Sequence, residues 1–347
     1  MRCMKKLKLL VLILFGVFSN SFAQDRHYSQ FYADPLGINP GNTGAFNGDL
    51  RAYTVYRMQW FTVTNPFKTF TIAVDAPIFK KKMRRDDYFA AGILIANDNV
   101  GSPRLNTMSY NALVSYTKYI GGKQKHDITL GYKIGYNIKT VSTGAATWDS
   151  QWDGTNYNPA YGVSESGGGG IGYLDMSTGL VWNFRTTHLF RSALGFSFDH
   201  FTMPNVSIHG GRDMLIPKLG VQWNIGYKLS ETSNTTLLPS LMVAQQGSSL
   251  LINGGVNVKY VLQEHSLYTN NQTDKAFYIG VFYRFRDAAF VTFRYDYASF
   301  SFSAAYDANL SALLPATKSV GGFEIALRYR GFLGKNLNSK RSTVRFF

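Results

Sequence analysis

The stretch "HDITLGYKIGYNIKT" (His126–Thr140) alternates without a break. Ile128, Leu130, Tyr132, Ile134, Tyr136 and Ile138 fall on one side, and Asp127, Thr129, Gly131, Lys133, Gly135, Asn137 and Lys139 on the other. Period two marks a strand, whose successive side chains point to opposite faces. The pattern recurs at Leu219–Lys228, Ile252–Tyr260, Phe277–Phe285 and Phe323–Arg330. A soluble sandwich alternates too, but its strands average about 5–6 residues. Several runs here exceed ten residues, which suits tilted membrane-spanning strands of about 9–11. The polar faces hold Gly, Ser, Thr and Asn where a water-facing sheet would show Lys and Glu.

Composition points the same way. Charged residues are 16%, against about 25% in ordinary soluble domains. Aromatics are 15%, as expected where they ring both edges of a membrane barrel. The chain therefore predicts an all-β fold: a transmembrane antiparallel β-barrel of outer-membrane type over residues 50–331, with about fourteen strands. Expected starts are Leu50, Thr69, Tyr88, Leu105, His126, Gly172, Arg191, Ile216, Thr235, Ser249, Ala276, Ala288, Phe300 and Val320. An even count leaves both barrel ends in the periplasm. The first and ninth strands alternate poorly in sequence, and Pro239 weakens the ninth.

Residues 1–23 read as an export leader. Arg2, Lys5, Lys6 and Lys8 precede the apolar run Leu9–Phe18, and Ser21-Phe22-Ala23 supplies small residues for cleavage after Ala23. The apolar run falls short of the ~20 residues a spanning helix needs. Cys3 is the only cysteine and lies in the leader, so no disulfide or thiolate chemistry is expected beyond it. The net charge of +15 drops by four when the leader is removed. A basic exported barrel suits outer-membrane lipid and lipopolysaccharide rather than nucleic acid, with a merely solvated surface as the alternative. Residues 332–347 form a basic tail.

Between leader and barrel, residues 24–49 contain "QFYADPLGINPGNTGAF" (Gln30–Phe46). Phe31, Tyr32, Leu36 and Ile38 make it too apolar for a solvated linker, while Pro35, Pro40, Gly41 and Gly44 break helix and strand alike. Such a segment suits a plug folded against the inside of a barrel, where irregular backbone is tolerated. Phe31, Tyr32, Leu36, Ile38, Asn39 and Pro40 are its expected contact residues, facing the lumen or periplasmic machinery.

The longest connection, Ser142–Gly170, faces outside by strand parity. Its "DSQWDG" places Asp149, Gln151, Asp153 and Gly154 at calcium-loop spacing, but Ala160 stands where the closing carboxylate belongs. Trp148, Trp152, Tyr157 and Tyr161 crowd this loop. They serve either as contact anchors for a partner or as packing over the barrel mouth. Asp199-His200 raises a barrel hydrolase, yet no Ser/His/Asp spacing accompanies it. Gly167–Gly170 lacks the lysine and helix of a phosphate loop. No catalytic group, metal or cofactor is expected.

Gln30–Trp60 also resembles the start of the PorP/SprF family, whose members begin with a QF/QY…NPL…NPA…TG element and a YRNQW-like strand. Here Asp34, Gly41 and Met58 replace the usual Asn, Ala and Asn. "ANDNVG" (Ala96–Gly101), "LGFSFDHFTMP" (Leu194–Pro204) and Arg294–Tyr329 are similar to later family elements in the same order, with Phe323 in place of a usual His. The resemblance implies an outer-membrane protein of the Bacteroidetes type IX secretion and gliding system. It implies as partners a secreted adhesin-like surface protein and periplasmic or lipoprotein parts of the machinery. The expected role is an attachment subunit that works by binding. A transport channel for hydrophobic or small polar solutes is the alternative, and a barrel hydrolase a more distant one.

Overall fold

A computed structural model describes residues 25–62, 65–79, 87–101, 105–120, 125–142, 149–158, 160–161, 168–186, 189–263, 274–311 and 314–331. The expected leader, Trp148 and the basic tail lie outside them.

Fourteen antiparallel strands close into one barrel. They are β1 (Leu50–Gln59), β2 (Phe67–Ile78), β3 (Tyr88–Val100), β4 (Leu105–Ile120), β5 (His126–Val141), β6 (Gly169–Arg185) and β7 (Phe190–Asp199). There follow β8 (Lys218–Lys228), β9 (Thr235–Gln246), β10 (Ser249–Gln263), β11 (Lys275–Arg284), β12 (Ala288–Tyr297), β13 (Phe300–Asn309) and β14 (Val320–Gly331). Each pairs with its sequence neighbours, and β1 closes on β14 from Leu50↔Gly331 to Gln59↔Gly322. Closure leaves no unpaired sheet edge, which a bilayer would penalise heavily. The strand starts fall within three residues of those expected from the alternation.

The apolar faces point outward. Along β5, Leu130, Tyr132, Ile134, Tyr136 and Ile138 are exposed, while Thr129, Lys133 and Asn137 are buried. Ile93, Val281 and Leu327 continue the greasy band around the wall. So large an apolar exterior belongs in lipid, not water.

The first strand departs from expectation. Its burial alternates regularly, with Arg51, Tyr53, Val55 and Arg57 all pointing into the barrel. The sequence hides this because the inner face carries Tyr and Val while Thr54 and Tyr56 face out. That inner face packs against other protein, so the usual hydropathy contrast is lost. The ninth strand does alternate poorly. Its ladder to β8 skips from Asn224↔Ser240 to Tyr227↔Leu237, spanning Pro239, which has no N–H to give.

The two rims differ. One, here the loop rim, carries the connections 142–168 and 200–217. The other, the terminal rim, holds the start of β1 and the end of β14; its connections run from the short 298–299 to 264–274, longer than expected for a periplasmic turn but shorter than the loop rim's two long ones.

Candidate functional site

Residues 25–49 run through the lumen from the loop rim to the terminal rim. At the top, Asp25 lies beside His200 and Lys218. At the bottom, the Asp49 amide donates to the Gly331 carbonyl (2.9 Å). The path is irregular: a 3-10 turn at Phe31–Ala33, one α-helical turn at Pro35–Ile38 and a second 3-10 turn at Pro40–Asn42. Proline opens two of these turns, where its missing N–H costs nothing. Asp34 caps the α-turn by accepting from the Gly37 amide (3.1 Å), and Asn39 caps the next by accepting from Gly41 (2.7 Å).

The wall satisfies the polar groups this backbone leaves over. The Ser29 and Gln30 amides donate to the two Glu324 oxygens (2.5 and 2.9 Å). Glu324 and Asp307 are in turn paired with Arg57 and Arg284, all of them buried. Arg57 also donates to the His27 carbonyl. Tyr53 donates to Asp34 (2.7 Å). The Asn39 side-chain amide donates to the Leu180 and Phe196 carbonyls of β6 and β7 (3.3 and 3.0 Å). Asn42 and Gln222 form a reciprocal amide pair (3.2 and 3.0 Å). These contacts reach strands on opposite sides of the lumen.

Two glycines on the wall make room for the segment. A Cβ on Gly131 would stand 2.2 Å from the Pro40 carbonyl, and one on Gly179 would stand 2.0 Å from Asn39 Oδ1. No side chain fits either gap, so β5 and β6 are cut to the shape of Asn39–Gly41.

The contact residues expected from sequence divide as follows. Phe31, Leu36, Asn39 and Pro40 are buried, while Tyr32 and Ile38 are half-buried. Leu36 joins an apolar cluster with Tyr28, Val55 and Leu94. Phe31 packs with Phe282, Phe290 and Met242, and Tyr32 and Ile38 lean on that group.

Above the segment, toward the loop rim, lies a cavity of about 760 Å³. Phe31, Ile38, Met242, Ala244 and Leu251 give it an apolar side. Arg26, Lys133, Asp175, His200 and Lys218 give it a charged one. Its size lies within the ~300–1,000 Å³ range of small-ligand pockets.

His200 follows the end of β7 and ties the segment's first described residue to the wall. Its Nε2 meets Asp25 Oδ2 (2.7 Å), and its Nδ1 meets Asp175 Oδ2 (2.8 Å). Burial works against a charged ring, but the two carboxylates outweigh it and raise the pKa to about 9. Burial likewise opposes ionisation of Asp25, and the adjacent Lys218 and His200 charges more than reverse it, holding the carboxyl well below its usual range. With both ring nitrogens engaged by carboxylates, neither is left to activate a serine. Among the described residues, no group of three His, Cys, Asp or Glu side chains is placed to hold a metal ion.

The long loop stands apart from the cavity. Trp152 and Tyr157 bring their rings within 5.0 Å across an isolated bridge. Asp153 closes the turn by accepting from the Thr155 and Asn156 amides (2.8 and 2.7 Å). Trp152, Tyr157 and Tyr161 are all about half exposed, and none lines the cavity.

Comparison with known proteins adds to this geometry. Among curated proteins, no sequence matches this chain. Solved structures with a similar fold include the P. putida toluene transporter TodX, with 10% identity, TM-score 0.48, and 85% of this chain and 92% of that one covered. The Ralstonia pickettii toluene transporter TbuX gives 13%, 0.46, 86% and 94%. BamA from Haemophilus ducreyi gives 8%, 0.42, 82% and 70%. The family model for the type IX secretion system membrane protein PorP/SprF matches residues 20–329. That match spans the lumenal segment and nearly the whole barrel, and the chain belongs to the PorP/SprF family of type IX secretion system membrane proteins.

Proposed function

We propose that this membrane component of the type IX secretion system acts as an attachment subunit, by binding rather than by chemistry. Long loops on the outside and short turns in the periplasm are the rule for such barrels, which orients the loop rim outward. A stretch of a secreted, adhesin-like surface protein then enters the cavity above the lumenal segment. The Trp152–Tyr157 loop grips that partner from outside. The segment itself serves as a plug that denies the lumen to solutes.

One observation carries this reading: the bonds from residues 25–49 to strands around the lumen, which leave a cavity floored by protein. The test is retention of the surface protein on cells carrying Ala244→Trp, which fills the apolar side of the cavity. Retention should fall while the barrel still assembles. Undiminished retention would refute the binding role of the cavity.

A solute channel is the second reading, favoured by the apolar side of the same cavity. It requires the plug to move, and conductance of the purified protein separates the two.

A further inference from the structure

Closure removes the open sides of the sheet as a whole, but β6 outruns one of its two neighbours. On one flank it is paired with β5 along its length, from Gly169 opposite Val141 to Phe184 opposite His126. On the other flank β7 reaches up only to Phe198, opposite Thr178. Residues 169–177 therefore have no strand on that side, the longest such stretch among the described strands.

Hydrogen-bond direction identifies the open groups. In an antiparallel strand one residue turns its N–H and C=O to one side, and the next turns them to the other. The Met176 carbonyl accepts from the Phe201 amide, just past β7 (3.3 Å), so Met176 faces away from β5. Gly170, Gly172 and Leu174 share that direction. Among the described residues, no backbone bond reaches these three from the open side. Gly170 and Gly172 are exposed, and Leu174 is 57% exposed. The chain beyond Phe201 does not extend the ladder. It folds on itself, with Val206 donating to the Asp213 carbonyl (2.7 Å) and Leu215 to the Pro204 carbonyl (2.9 Å). An open edge templates pairing with another chain, and natural sheets guard it with lysine, proline or a bulge. Residues 169–174 contain neither lysine nor proline, and their register to β5 is unbroken.

We infer that this edge takes up an extended strand of the secreted surface protein, by β-strand addition. The inference rests on the attachment reading above and names the backbone that does the holding. The edge stands at the loop rim, which faces outward. Tyr173 and Asp175, the alternate residues of the same stretch, line the cavity, so a strand added here is continuous with it. Open groups at every second residue match a chain in β conformation, whose own groups repeat with the same period. A second copy of the barrel pairing edge to edge would bring no chain end to the cavity.

The first test uses the full-length protein in detergent micelles. The amides of Gly170, Gly172 and Leu174 should exchange at least about tenfold faster than those of Ile171 and Tyr173, which face β5. The second test uses cells, and its readout is the surface protein that a strain lacking this barrel sheds into the medium. Leu174→Pro removes one open N–H and no bond to β5, as proline does on an edge, whereas Leu174→Ala keeps that N–H. Retention with Leu174→Pro should be about fivefold below retention with Leu174→Ala, the effect of one lost backbone bond. Heat-modifiable gel mobility reports assembly. If the proline variant does not assemble, photoreactive benzoylphenylalanine in place of Leu174 should still cross-link to the shed protein. Protected edge amides in the isolated protein, equal retention in the two variants, or a cross-link that is absent or joins only a second copy would each overturn strand pairing. Equal retention alongside shedding from the barrel-less and Ala244→Trp cells would leave the attachment reading standing. No shedding from barrel-less cells would overturn both.

Discussion

Arg51 of β1 and Asp75 of β2 form a bidentate pair, 2.8 Å at each contact, with both side chains fully buried. The same pair holds the lumenal segment: Asp75 accepts from the Gly44 amide (2.7 Å) and Arg51 donates to the Asn42 carbonyl (3.0 Å). Replacing Asp75 with Ala strands a buried guanidinium and frees Gly44. The expected loss is about 3–5 kcal/mol of stability, as for other broken buried pairs. Urea unfolding in detergent measures it, and limited proteolysis should show new cleavage near residues 42–49. A variant as stable and as resistant as wild type would contradict this role.

Gly131 offers a gentler probe. Gly131→Val leaves the strand intact but drives a side chain into the space of Pro40. Overpacking of this kind typically costs about 1–3 kcal/mol, and here the strain falls on the segment rather than the wall. Hydrogen exchange should rise at residues 36–44 and stay unchanged in the barrel strands. Exchange rising throughout the barrel would mean that the segment and wall form one cooperative unit.

The His200–Asp25 contact gives a pH dependence of known sign. His200 has a raised pKa, so its contribution is complete below about 6.5 and is lost as pH rises through about 9. Asp25 has a lowered pKa, so its contribution holds above the usual carboxyl range and is lost only in stronger acid. Protection of residues 25–30 against exchange should therefore be level from about pH 5 to 6.5, after correction for intrinsic rates, fall as pH rises from there to about 9, and lose nothing more through His200 above it. His200→Gln should remove that alkaline step. A step that persists in the variant would assign it to another group.

The outer loop makes a separable prediction. Trp152→Ala with Tyr157→Ala removes two exposed, mutually packed rings that touch neither cavity nor barrel core. Barrel assembly and unfolding should be unchanged, while the surface partner is shed into the medium. Shedding identical to wild type would leave these rings with no part in attachment.

Much of this fold is written in plain alternation, and its limits are physical. β5 could be read directly because its outer face meets lipid and its inner face is polar. β1 could not, because its inner face meets the segment and carries Tyr53 and Val55 between two arginines. The lumenal position of Phe31 and Leu36 follows from apolar residues on a broken backbone. The partners that fix the segment do not, since Gln222, Glu324 and His200 approach it only when the barrel closes, up to 295 residues away. One signal was present: Gly131 sits on the polar face of the most regular strand, where nothing but a close neighbour requires the loss of a side chain.

The central claim is that the lumen is filled by protein and that the molecule acts by holding partners, not by passing solutes. Single-channel conductance in planar bilayers tests it most directly, comparing the full-length protein with a variant lacking residues 25–47 of the lumenal segment. The account predicts a silent full-length barrel and a steady open conductance after the deletion. A wide, stable pore in the full-length protein would contradict it.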